Sequence, residues 1–123
     1  MDLKTATDYD FMKLWKEAWD SGVEATKNAS IEMIQVRDNM SGKVYDPFPI
    51  CGFAWINVKP GTSRFARWLK KMNLGQVDTY YGGITVWIHD YNQSYDLKLT
   101  HARAMAKILK NHSIKCYAMG RLD

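Results

Sequence analysis

The chain has 123 residues, of which 46% are apolar, and a formal net charge of +4. That length suits one domain, and the apolar share can build a core without disulfide staples. No apolar run reaches the roughly 18–20 residues of a membrane span, the polar residues 1–10 read as no signal peptide, and two distant cysteines, Cys51 and Cys116, make neither a metal pattern nor a disulfide framework, as in a reducing compartment.

The first periodic segment is Thr7 to Ala29, where Phe11, Trp15 and Trp19 recur at i, i+4, i+8 beside Leu14 and Ala18. This pattern predicts an amphipathic helix capped by Thr5 or Thr7, with Asp8 and Asp10 in its first turn. Ile31 to Arg37 reads as a strand, Asp38 to Gly42 as a turn, and Pro47 and Pro49 keep the next stretch extended and irregular. From Cys51 the pattern sharpens. Residues 51–58 form a strand rich in apolar and aromatic side chains. Thr62 or Ser63 then caps a helix carrying Phe65, Trp68, Leu69 and Met72, which Gly75 ends. Val77 to Tyr81 and Ile84 to His89 read as two strands around Gly82-Gly83, a pair suited to the positive φ angles of a tight hairpin. Asp90 to Ser94 is a polar turn offering several caps, and Asp90 with Gln93 resembles a capping box. The helix that follows reaches about Asn111 with Tyr95, Leu99, Ala102, Met105, Ala106 and Leu109 on one face, and Ile114 to Met119 is the last strand.

Residues 51–119 therefore read β-α-β-β-α-β, which predicts an α+β fold with a ferredoxin-like antiparallel sheet and both helices on one face. Residues 1–50 form a helix and strand extension packed on the 51–123 core, within a single domain.

Strand alternation divides the sheet into two rows. One row is Ala54, Ile56, Val58, Ile84, Val86, Ile88, Ile114, Cys116 and Ala118, all aliphatic or small, as expected beneath helices. The other is Phe53, Trp55, Asn57, Thr85, Trp87, His89, Lys115, Tyr117 and Met119, and its Phe53, Trp55, Trp87, His89 and Tyr117 make a candidate binding face. Bare, such a face would be a large exposed apolar patch. Three coverings would remove it: the N-terminal helix, a second copy of the chain, or a ligand stacked on the rings. Aromatics on central strands hold bases in RNA-recognition domains, although neither strand matches their signature.

The helices carry the opposite chemistry. Residues 1–50 hold 6 Lys/Arg and 9 Asp/Glu, whereas residues 51–123 hold 11 and 4, so the basic excess is C-terminal. Arg64, Arg67, Lys70 and Lys71 on the first core helix and Arg103, Lys107 and Lys110 on the second form candidate anion-binding stripes, expected side by side. They could follow a phosphate backbone or simply be a solvated face. Catalytic chemistry has little support. His89 with Asp90 is the one tempting acid–base pair, and a surface histidine beside a helix-capping aspartate explains it as well. There is no phosphate loop, zinc spacing or nucleophile elbow, so no cofactor or metal is expected.

The segments ICGFAWINVKPGTSRFARWLKK and YYGGITVWIHDYNQSY and the closing MGRLD resemble an uncharacterised family of tailed-bacteriophage and marine-metagenome proteins, over about residues 51–123. The resemblance implies a phage protein made in the cytoplasm of an infected bacterium and transfers no catalytic residues. The resulting expectation is a non-enzymatic accessory or interaction module that self-associates; the alternative is a nucleic-acid-binding module using the basic helix face or the aromatic sheet face.

Overall fold

The structure is a computed structural model that describes residues 1–29, 33–35, 37–44 and 46–123. Helix α1 spans Asp8–Lys27. Its start follows from a capping box: the Thr7 hydroxyl accepts the Asp10 N–H at 3.2 Å, and the Asp10 carboxylate accepts the Thr7 N–H at 2.8 Å. Strands β1 (Met33–Ile34) and β2 (Phe48–Pro49) pair antiparallel as a separate small sheet. Of the strand expected over residues 31–37, Met33–Ile34 is paired and Arg37 only bridges Val44 across a turn; Ile31, Glu32 and Val36 lie outside the described residues.

The main sheet is built from β3 (Gly52–Val58), β4 (Gln76–Val77), β5 (Ile84–Trp87) and β6 (Cys116–Leu122) in the order β4-β5-β3-β6, every neighbour antiparallel. Helix α2 (Arg64–Lys71) joins β3 to β4, and α3 (Tyr95–Asn111) joins β5 to β6. The fold is thus α+β, with three helices and a four-stranded antiparallel sheet.

Local contacts set the boundaries of these elements, several of them away from the expected positions. The strand expected at Val77 to Tyr81 stops at Val77, because the Asp78 carboxylate accepts the Tyr80 and Tyr81 N–H groups at 2.9 and 2.8 Å and turns the chain away from β5. Helix α3 starts after Ser94, whose hydroxyl caps Leu97 N, since Tyr91 and Asn92 adopt φ of 72° and 54° and cannot be helical. Strand β6 starts at Cys116 rather than Ile114: Ser113 has φ of 65° and the Ile114 N–H returns to the Leu109 carbonyl, closing the helix end. His89 falls just past the end of β5.

The row parity agrees with the burial. Ala54, Ile56, Val58, Ile84, Val86, Ile88 and Cys116 join one core with Phe65, Leu69, Leu99, Met105 and Leu109 from the helices and Phe11, Leu14 and Ala18 from α1, whereas Trp55, though buried, lies outside it. Helix α1 sits on the helical side of the sheet. Phe11 meets Phe65 edge-on at 5.4 Å and Trp68 at 6.0 Å, and Trp19 meets His101 of α3 at 4.3 Å. It packs mainly along α3 and also touches α2. Of the three coverings of the aromatic row, this placement removes the N-terminal helix, and it corrects the expectation that the two basic helices lie side by side: α1 contacts both, with Phe11 on Phe65 and Trp68 of α2 and Trp19 on His101 of α3. Among the described residues no helix is long and apolar enough to cross a membrane.

Candidate functional site

The sheet face opposite the helices is covered by none of them. Its rings pack on one another: Trp55 lies 4.9 Å from Trp87 and 6.3 Å from Tyr81, and Phe53 meets Trp87 edge-on at 6.5 Å. Trp55 is 6% exposed, packed by Trp87 and by Tyr81 of the β4–β5 connection, residues 78–83. That loop is tied down at both ends. Asp78 accepts the Thr85 hydroxyl at 2.7 Å in addition to its two backbone N–H groups, which together hold its carboxyl below the ordinary range. At the other end Asn57 Nδ2 donates to the Gly82 carbonyl at 2.7 Å. Gly83, at φ of 73°, passes so close to β3 that a Cβ there would come within 2.5 Å of the Val58 carbonyl oxygen, so only glycine fits.

Between this loop and β6 lies a cavity of about 480 Å³ lined by Trp55, Tyr80, Tyr81, Trp87, Met119 and Arg121, among others. Its rim is unusually open for aromatic side chains, with Tyr80 85% and Tyr81 45% exposed. In its wall the Trp55 indole N–H is buried without a hydrogen-bond partner, a cost that buried donors ordinarily avoid. Cations stand over neighbouring rings: Arg121 and Lys98 lie 5.4 and 5.8 Å from the Phe53 centroid, and Lys59 and Lys110 both lie 5.8 Å from Tyr117.

Of the residues singled out in the sequence, Phe53, Trp55, Trp87 and Tyr117 share this face. His89 is exposed and lines a different cleft of about 460 Å³ at the β5 edge, with Trp15, Trp19, Asn73, Gln76 and Asp90. No hydrogen bond or ion pair orients its ring among the described residues. The seven basic residues divide. Arg64 donates to the Leu3 carbonyl at 2.8 Å and Lys71 pairs with Asp8 at 2.7 Å, so both fasten α1 rather than await an anion. Arg67 and Lys70 are exposed on α2, while Arg103, Lys107 and Lys110 flank β6. Asp78 and Arg121 were not anticipated, while Tyr80 and Tyr81 sit at the expected hairpin tip, which reads as a binding loop only second. A longer final strand would have put Arg121 in the row of Tyr117 and Met119; the loop contacts have no local sequence signal beyond the Asp-x-Tyr-Tyr spacing. Among the described residues no cluster of His, Cys, Asp and Glu could hold a metal. No family model, curated protein or solved structure matches the chain.

Proposed function

We propose that the chain is a binding module, without catalytic chemistry of its own, whose open sheet face holds single-stranded nucleic acid. The observation that carries this reading is the pairing of exposed Tyr80 and Tyr81 with Arg121 around one cavity whose wall contains Trp55 and Trp87. Flat rings accept the faces of bases whatever their sequence, and cations alongside accept phosphates. The strand order and uniformly antiparallel pairing support a ferredoxin-like reading of residues 52–122, in which this is the helix-free face. The phage setting implied by the sequence resemblance is compatible with such a module acting in an infected cell.

Titration of oligothymidylate by fluorescence anisotropy over a range of salt tests this. Expected are a linear fall of log affinity with log salt, a loss of roughly tenfold in Trp87→Ala or Tyr81→Ala, and a slope shallower by about 0.7 in Arg121→Gln. Absence of salt-sensitive binding near physiological ionic strength overturns it. Self-association through the same face is the second reading, favoured by the exposed rings of Tyr80 and Tyr117; it predicts dimers in sedimentation that Tyr80→Ser disperses. Cations over Phe53 and Tyr117 place it second, because a second copy would bring like charges together.

A further inference from the structure

The sheet ends on one side in β6, whose outer edge is covered at Cys116, partly open at Ala118 and exposed at Gly120 and Leu122. Strand β6 pairs with β3 in an unbroken register from Gly52↔Leu122 to Val58↔Cys116, and no described strand pairs with its other edge. The hydrogen-bond parity can be read from its two ends: Lys59 N–H donates to the Lys115 carbonyl at 3.0 Å, and Asp123 N–H donates to the Cys51 carbonyl at 3.1 Å. Odd-numbered residues of β6 therefore turn their backbone groups toward β3, and Cys116, Ala118, Gly120 and Leu122 turn theirs outward. Edges are ordinarily blunted by proline, a bulge or charge within the strand. Strand β6 has neither proline nor a bulge, and its one charge is Arg121, which by the register faces the helix-free side. The opposite edge differs, since β4 has only two residues.

The surroundings of this edge select its occupant. On the helical side, a trough of about 480 Å³ between α3 and β6 is lined by Arg103, Lys107, Lys110, Tyr117 and Ala118, among others. No acidic side chain pairs with Arg103, Lys107 or Lys110 among the described residues. Tyr117 closes the trough at the sheet edge, with Lys110 5.8 Å from its ring, and on the opposite face the half-buried Met119 offers an apolar neighbour. A strand laid along β6 would drop alternate side chains into the cationic trough and set the others beside Met119. We propose that β6 accepts an extended acidic peptide segment of a partner protein as a further strand, with Asp or Glu at every second position facing α3 and aliphatic residues between them. A second copy of β6 fits poorly, because antiparallel pairing of two such strands would oppose Arg121 to the flanking Lys115 of the other and bring the two α3 stripes together. The proposal does not depend on nucleic-acid binding at the neighbouring face.

The probe is a capped peptide of four Glu-Val repeats, compared with a Glu₄Val₄ block peptide and a Lys-Val repeat of the same length. Expected are binding of the Glu-Val repeat alone, at least about tenfold tighter than either control, and new hydrogen-exchange protection at the Ala118, Gly120 and Leu122 amides. The double variant R103E/K107E should lose about tenfold in affinity. Ala118→Pro should abolish binding, since its N–H faces away from β3 and proline is tolerated on such an edge. If that variant does not fold, N-methylation of the peptide backbone must abolish binding instead. Equal binding of the block or Lys-Val peptide, unchanged binding by Ala118→Pro or the N-methylated peptide, protection of the same amides by oligothymidylate, or their protection in a dimer of the chain alone would each overturn the proposal.

Discussion

Helix α1 meets α3 at one contact whose strength can be tested by a double-mutant cycle. Gly22 lies against the imidazole of His101, and a Cβ at position 22 would stand 2.6 Å from both Cδ2 and Nε2 and 2.7 Å from Cε1. Comfortable contacts between such atoms lie about 3.5–4.0 Å apart, so the ring or the helix would have to move by about 1 Å. The ring has little freedom to do so. It is fully buried, its Nδ1 is bonded to the Tyr91 hydroxyl at 2.7 Å, and Trp19 packs edge-on against it at 4.3 Å. Overpacking of this kind costs about 1–3 kcal/mol, while replacing a mid-helix glycine by alanine returns about 1 kcal/mol. Three ring atoms are hit at once, which places the cost in the upper part of that range and leaves Gly22→Ala destabilising by about 1–2 kcal/mol. In a His101→Ala background the obstacle is gone and the same substitution should stabilise by about 1 kcal/mol. The predicted coupling is therefore about 2–3 kcal/mol, read from urea unfolding of the four proteins at about pH 7.5, where imidazole is neutral in either state. If Gly22→Ala stabilises the original protein as much as it stabilises the His101→Ala variant, α1 does not pack on α3 in this way.

The same histidine makes stability depend on pH. Burial pushes its pKa below the ordinary value of 6.5, with the Asp90 charge acting in the opposite direction. The unfolded chain therefore takes up a proton that the folded protein resists, so stability is complete above about pH 6.5 and falls as pH drops below it toward the folded pKa. His101→Gln should flatten that fall in urea midpoints measured from about pH 7.5 to 5; the same slope in both proteins would refute it. The two thiols should also separate. Burial pushes the Cys116 thiol up to about 11, and its Sγ lies 3.6 Å from the Ala106 carbonyl, whereas Cys51 is only half-buried. A thiol-specific disulfide reagent should modify one cysteine quickly in the native protein and the second only on unfolding; two fast thiols would contradict the placement of β6.

The two-row character of β3 and β5 was legible along the chain because side-chain direction in a strand is set by the backbone alone. Ile56 and Val86 faced the helices and Trp55 and Trp87 faced away with no tertiary information. The cap at Ser63, the alternatives Thr5 or Thr7 for α1, and the positive φ of Gly82 and Gly83 are equally local, since each answers to hydrogen bonds or sterics within a few residues. The start of α3 was local too: of the caps that the polar turn 90–94 offers, left-handed Tyr91 and Asn92, with the Tyr91 hydroxyl on His101, hold the chain out of helix until Ser94. What covered each surface was decided only by the folded chain. The apolar stripe of α1 could have lain on the aromatic row or on the helices, as both offer rings of similar size; contacts with Phe65, Trp68 and His101, distant in sequence, chose the helices. That choice used Arg64 and Lys71 to anchor α1 and parted the two basic stripes. It also left the open face to the 78–83 loop, whose hold on Asn57 and Thr85 joins residues that only strand pairing brings together. Local sequence thus determined which way each side chain points, and long-range packing determined what it meets, because burial free energy depends on the partner surface and not on the segment that carries the side chain.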